Sequence, residues 1–350
     1  MEDYVLVNQP FKIRQQITKF RQIGEVYSQS PNVVLQMSSQ ITIPVIDFQK
    51  YGLQINQLDS VPREDLKELG DEVCRALEDI GFCYLKNHGI TDQQITEMME
   101  ISKQFFSQPI EEKTKCAKPD KGYDGWIGLE KENLNLERPV GDYKETYNVT
   151  PSCDIWPENI SNFEKVQKNF FSTCIDLALR VFDVISVGLN LEDKNFLRNC
   201  HKLIGQEGNL TALRSLFYPA IPLDKEIIEG QVRCGEHSDY GTLTLLFQDL
   251  IGGLEVKTRD GDYIPATPIP GTIVVNIGDL MQRWTSDRLV ATRHRVLIPE
   301  EETKSRRNRQ SMAVFVIPDN NLVVSCLDGS DKYPPIKCLD YISQRFYEKL

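Results

Sequence analysis

Histidine is scarce in this chain: four residues in 350, at positions 88, 201, 237 and 294. Any chemistry that needs imidazole must draw on that short set. Cysteine is not scarce, but its nine residues (74, 83, 116, 153, 174, 200, 234, 326 and 338) are odd in number and include no Cys-x-x-Cys pair. That excludes a fully paired disulfide framework and argues for a reducing compartment in which thiols pack as small hydrophobes. Apolar residues nowhere run to 18 in succession, so no membrane-spanning helix is expected, and Met1-Glu2-Asp3-Tyr4-Val5-Leu6-Val7 offers no secretory leader. Basic residues are outnumbered, 40 to 51, and the formal net charge of -11 argues against nucleic acid or an anionic membrane as the main partner. Repeats and low-complexity tracts are missing too. The expectation is a cytoplasmic, monomeric, soluble protein that acts on a small molecule.

What the chain does have is a succession of short patterned segments. Residues 1–40 are polar and weakly patterned, with one short helix expected from Phe11 to Phe20, and read as an N-terminal extension. Residues 41–157 open with a strand, Ile43-Pro44-Val45-Ile46-Asp47-Phe48, in which Pro stands near the start where it is tolerated. Leu66, Leu69, Val73, Leu77 and Ile80 recur at helical spacing, and Gly81 ends that helix before the strand Phe82-Cys83-Tyr84-Leu85. Thr91 and Gln94 satisfy a capping box for a second helix. The stretch from Gly122 to Pro157 has no sustained period, as expected of a functional loop region, although Tyr143, Glu145 and Tyr147 alternate as on a strand.

In residues 158–205, Ser161-Asn162-Phe163-Glu164 reads as another capping box, opening a long helix whose stripe runs from Phe163 to Val184. Residues 206–320 are short strands separated by turns: Leu213–Pro219, Leu243–Leu246, Gly253–Val256, a hairpin at Asp260-Gly261, Gly271–Asn276 and Ser311–Val316. Residues 321–350 hold Pro334-Pro335 and a last helix near Leu339. Many short strands with turn chemistry argue an α+β protein with a mainly β core, a distorted double-stranded β-helix or jelly roll flanked by helices.

Chemistry concentrates in Gly235-Glu236-His237-Ser238-Asp239-Tyr240-Gly241. On an extended backbone residues i and i+2 point the same way, so His237 and Asp239 at the entrance of the Leu243 strand can converge on one ion. His294, in the extended run Val290–Leu297, is the best third ligand. Two His and one carboxylate on one side of an octahedral ion leave the other positions open, the facial arrangement associated with non-haem Fe(II) oxygenases. Arg309-Gln310-Ser311 repeats the i, i+2 idea: a guanidinium fork and a hydroxyl, both suited to a carboxylate, at the start of an apolar strand. A divalent ion with one aspartate keeps about one positive charge for the near end of a 2-oxo acid, and a second carboxylate needs its own cation in a desolvated cavity. Arg309 can be that cation, with Tyr218 as a further hydrogen-bond donor.

His237-x-Asp239, His294 and Arg309-x-Ser311, in this order with strands between them, resemble the Fe(II)/2-oxoglutarate-dependent dioxygenases of the isopenicillin N synthase-like family. The resemblance extends to Ile43–Asp47, Gly81-Phe82 through Asn87-His88-Gly89-Ile90, Gly271 through Asp279, and Tyr333-Pro334-Pro335-Ile336, so it covers nearly everything from about residue 41 onward. It departs at Leu216, where many plant members carry Asn. The resemblance implies a jelly-roll core, Fe(II) held by His237, Asp239 and His294, and 2-oxoglutarate held by Arg309, Ser311 and Tyr218. It also implies O2 as cosubstrate, with succinate and CO2 released as a small organic substrate is hydroxylated, desaturated or cyclised. Competing readings are a 2-oxoglutarate-independent oxidase of the isopenicillin N synthase type, a non-catalytic 2-oxoglutarate and metal sensor, and a zinc hydrolase, which leaves Arg309 and Ser311 unexplained. His88 and His201 are expected to be structural, Cys234 inert, and Tyr123, Trp126 and Trp284 either pocket or packing residues.

Overall fold

Alternation along a few central strands decides which side chains build the protein and which face its cavity. The computed structural model describes residues 42–347 apart from 134–137, 139, 223, 226 and 299–305. The helix expected at Phe11–Phe20 lies outside the described residues. In chain order the strands are β1 (Val45–Asp47), β2 (Phe82–Lys86), β3 (Gly125–Ile127), β4 (Glu145–Val149), β5 (Ala212–Tyr218), β6 (Cys234–His237) and β7 (Leu243–Gln248). They continue as β8 (Leu254–Lys257), β9 (Tyr263–Pro265), β10 (Thr272–Ile277), β11 (His294–Val296), β12 (Arg309–Val316), β13 (Val323–Val324) and β14 (Ile336–Lys337). One sheet runs β1-β2-β10-β7-β12-β5-β4-β3 and a second runs β6-β11-β8-β9. The β1–β2 pair is parallel and needs a crossover, which the Arg63–Asp79 helix supplies.

Period-two alternation gives the large sheet two different faces. Leu243, Leu245 and Phe247 of β7, Ile273, Val275 and Ile277 of β10, and Met312, Val314 and Val316 of β12 join the core that the helices cover. From the opposite face Phe82, Val274, Leu216, Tyr218 and Ala313 pack with Cys234, Leu254, Val256 and Val296 of the second sheet, forming a smaller core between the sheets. This is the expected jelly roll with helices outside it, its sheets facing each other without closing into a barrel.

The Phe163–Gly188 helix packs across the Arg63–Asp79 helix, and the crossing is tight where two glycines meet. A Cβ on Gly70 would sit 2.8 Å from both the Gly188 nitrogen and the Val184 carbonyl oxygen. The Thr91 capping box is present: the hydroxyl accepts from the Gln94 N–H, and the Gln94 side chain accepts from the Thr91 N–H.

The structure corrects several local expectations. The long helix is not opened by a capping box at Ser161: Asn162 leads into it in a left-handed conformation, φ 63°, and no side chain caps it. That turn leaves the Ser161 hydroxyl one residue outside the first helical N–H groups. The Ile43–Phe48 strand shortens to β1, with Pro44 just before it, where its carbonyl accepts from the Tyr84 N–H. β4 is buried along its whole length rather than on alternate residues, because β3 and β5 flank it in the sheet. His237 does not lie at the entrance of β7; it ends β6, in the other sheet, and Asp239 follows in the connection between the two.

Candidate active site

β6 and β11 pair antiparallel with His237 directly opposite His294, which brings the two imidazoles to a centroid separation of 4.3 Å. The pairing carries one extra residue on β6, since Cys234 to His237 spans what Val296 to His294 spans on β11. A bulge of this kind re-aims side chains, and here both Cys234 and His237 line the cavity between the sheets.

The Nε2 atoms of His237 and His294 each lie 3.7 Å from Oδ1 of Asp239, and one ligand atom from each of the three residues lies within 4.8 Å of the others. Every other polar atom of the trio is engaged elsewhere. His237 Nδ1 faces the Gly235 carbonyl oxygen at 2.8 Å and His294 Nδ1 faces that of Thr292 at 3.1 Å. A carbonyl can only accept, so the ring protons sit on Nδ1 and the Nε2 lone pairs point at the shared space. Asp239 Oδ2 accepts from the Thr244 hydroxyl at 2.6 Å and from the Asn276 amide at 2.7 Å, leaving Oδ1 for the same space.

Electrostatics favour the ligand forms of these groups. Burial, then the neighbouring His294, pushes His237 down to about 3, so its ring is neutral. Burial works to raise the Asp239 carboxyl, but the two imidazoles and the bonds from Thr244 and Asn276 outweigh it and hold the group below its ordinary value. Two imidazoles with Nε2 turned inward and one carboxylate, mutually convergent, fit a divalent metal ion.

A further part of the cavity wall is set by the register of β12. Arg309 pairs with Tyr218, and Ser311 with Leu216 on one side and Gln248 on the other. The Arg309 side chain is buried; its Nε donates to the Gly252 carbonyl oxygen at 2.7 Å, Nη1 to the Ser311 hydroxyl at 3.2 Å and Nη2 to Gln248 Oε1 at 3.4 Å. Its guanidinium lies over the Tyr218 ring, 4.7 Å from the centroid. Burial raises the Tyr218 phenol above its usual value against the pull of Arg309, so it remains a donor. Among the described residues Arg309 has no carboxylate partner, only neutral acceptors, and its positive charge is left for an incoming anion.

Both groups line one cavity whose remaining wall is largely apolar, from Phe82, Leu216, Leu246, Leu254, Val296 and Phe315. All six expected site residues, His237, Asp239, His294, Arg309, Ser311 and Tyr218, are therefore brought to one space. Asn276, Thr244 and Gln248 were not foreseen. A signal for Asn276 existed, since it is the inward-facing polar residue of an otherwise apolar strand. Trp126 and Trp284 do not line this cavity: the Trp126 Nε1–H donates to Glu145, and Trp284 packs beside Phe196 and His201. Tyr123 lies under Arg214. His88 and His201 are buried away from the trio, and His201 stacks on Phe182 with ring centroids 4.0 Å apart.

Fold and site together define a jelly roll in which a convergent trio of two histidines and one carboxylate lines the same cavity as a buried arginine. Residues 43–172 match the family described as non-haem dioxygenase in morphine synthesis N-terminal, and residues 208–318 match the 2OG-Fe(II) oxygenase superfamily. The chain is similar to proline hydroxylase buaE of Petromyces alliaceus, 34% identical over 73% of this chain and 82% of that one. It is also similar to homoarginine-6-hydroxylase 2-ODD-C23.1 of Arabidopsis thaliana, 30% identical over 84% of this chain and 90% of that one. A full-length Neurospora crassa protein, crystallised in complex with alpha-KG, superposes with a TM-score of 0.77 at 31% identity, covering 89% of this chain and 97% of the other. The chain belongs to the isopenicillin N synthase-like superfamily of Fe(II)/2-oxoglutarate-dependent dioxygenases, oxidoreductases that use Fe(II), 2-oxoglutarate and O2. No helix among the described residues is long and apolar enough to cross a membrane.

Proposed function

We propose that His237, Asp239 and His294 hold the Fe(II), that Arg309 with Ser311 and Tyr218 receives the far carboxylate of 2-oxoglutarate, and that the enzyme oxidises a small organic molecule. The observation that carries this reading is that a convergent trio of ligand atoms and a buried guanidinium with only neutral acceptors among the described residues line one largely apolar cavity. Bound iron supplies the oxidative chemistry, coupling decarboxylation of 2-oxoglutarate to succinate and CO2 with oxidation of a substrate C–H bond by O2.

The residues of the chain supply position and environment. Carbonyl acceptors at Gly235 and Thr292 fix the orientation of both imidazoles, and Thr244 with Asn276 fixes the carboxylate. Arg309 offers its charge to the far carboxylate within the same cavity, and the apolar wall formed by Phe82, Leu246, Leu254 and Val296 limits water around that ion pair. Hydroxylation is the expected outcome, with desaturation or ring closure as variants; loops within 122–147 and the C-terminal helix select the substrate. Relatives named for proline and homoarginine, and the Neurospora crassa protein crystallised with thymine, make small polar nitrogen compounds the first panel to screen.

The test is succinate release from the Fe(II) protein under O2, with and without each compound. Fe(II)-dependent succinate formation that rises with one of them supports the reading. An oxidised product without consumption of 2-oxoglutarate would place the enzyme with the oxidases instead. A 2-oxoglutarate charge-transfer band without any succinate would make the protein a sensor.

A further inference from the structure

A second arginine stands next in sequence to Cys234 of the cavity wall, and no carboxylate among the described residues pairs with it. Arg233, four residues before His237, is buried completely. Among the described residues its guanidinium makes one hydrogen bond, from Nη2 to the Arg307 carbonyl oxygen at 3.1 Å; Nε and Nη1 are buried and unpartnered. A buried guanidinium ordinarily has a carboxylate or a full set of acceptors, because desolvation of an unpaired charge is costly.

Its neighbourhood compounds the cost. Burial, then the charge of Arg309, holds Arg233 down at about 10, and Tyr218 is the next group acting on it. Asp249 pulls in the other direction, but its carboxylate oxygens already accept the N–H groups of Ile251 and Gln310. Arg233 and Arg309 are thus close enough to repel, with Tyr218 acting on both. An anion bound at Arg309 would relieve that repulsion.

We propose that Arg233 is a positioning residue for the cosubstrate: buried beside the cavity wall, it adds a second positive charge that makes the site selective for a 2-oxo acid with a far carboxylate over one without. Arg233 does not line the cavity, so its effect is electrostatic and reaches the ligand through its neighbours. The proposal rests on the assignment of Arg309 to that carboxylate.

The experiment uses the full chain loaded with Fe(II) under anaerobic conditions, titrated with 2-oxoglutarate and with 2-oxovalerate, which chelates through the same atoms but lacks the far carboxylate. Charge-transfer absorbance gives both dissociation constants. In wild type the dicarboxylate binds more tightly; in Arg233→Met that preference is expected to fall about tenfold, while Arg233→Lys keeps it within about threefold. Ligand-free Arg233→Met is expected to melt no lower than wild type, because an uncompensated charge has been replaced by a side chain that packs. An unchanged preference in Arg233→Met overturns the proposal, as does a variant that fails to fold or melts well below wild type, which would make Arg233 a packing residue. If wild type itself shows no preference for 2-oxoglutarate, the assignment of Arg309 fails instead.

Discussion

His237 and His294 stand opposite each other across the β6–β11 pair, each with Nε2 3.7 Å from the same oxygen of Asp239. A cation held among three ligand atoms so close together binds the folded chain and not the unfolded one, so metal loading should stabilise the fold. At free metal about a thousandfold above its dissociation constant the gain is about 4 kcal/mol. Thermal melts with Fe(II) under argon, with Mn(II), and with excess chelator should show it. His294→Ala should erase the difference, along with activity; a melting temperature indifferent to chelator would contradict the site.

Asn276 and Thr244 hold one oxygen of Asp239 so that the other faces the imidazoles. Removing either bond frees the carboxylate to rotate and lowers its readiness as a ligand. Asn276→Ala and Thr244→Val should each weaken metal binding by about 10- to 100-fold with the fold intact. Competition against a chromophoric chelator reads the constant directly.

His201 gives the protein an acid-sensitive core. Its Nδ1 faces the Leu197 carbonyl oxygen and its Nε2 the Thr242 hydroxyl, and burial pushes the ring down to about 4. The folded value lies below the unfolded one, so as pH falls the unfolded chain takes up the proton first. The stability this confers is complete above about pH 6.5 and declines toward pH 4. Between about pH 7.5 and 4.5, wild type should lose about 3 kcal/mol more than His201→Gln in urea titrations. Parallel losses in the two proteins would refute the assignment.

Gly70 permits the tight crossing of the two long helices. An alanine there meets backbone atoms of Val184 and Gly188, which cannot step aside as a side chain can. Overpacking costs about 1–3 kcal/mol, and the better helix propensity of alanine returns about 1. Gly70→Ala should therefore be less stable by up to about 2 kcal/mol, measured as a lower urea midpoint with an unchanged slope.

Spacing made the reactive trio and the arginine legible in the sequence, because His237-x-Asp239 and Arg309-x-Ser311 are local patterns. The two strand faces of β7, β10 and β12 were legible for the same reason: period-two alternation is written residue by residue. Partnership was not. That His237 ends a strand of the second sheet, opposite a residue 57 positions later, depends on how distant segments pair. The bulge that turns Cys234 into the cavity depends on the length of the partner strand, which no local pattern states. The partner of Asn276, the Asp239 carboxylate 37 residues earlier, and the missing counterion of Arg233 become visible only in the folded chain. Ser161 misled because a left-handed turn at Asn162, not a side-chain oxygen, begins the helix.

β7, β10 and β12 each present one set of side chains to the helices and another to the cavity. Durability and reactivity are thereby written on opposite sides of the same three ribbons. Replacing Leu246, Ala313 or Phe315 would change which molecule is admitted while the aliphatic layer behind it went on holding the scaffold. A chamber built this way can exchange one guest for another without renegotiating its own existence.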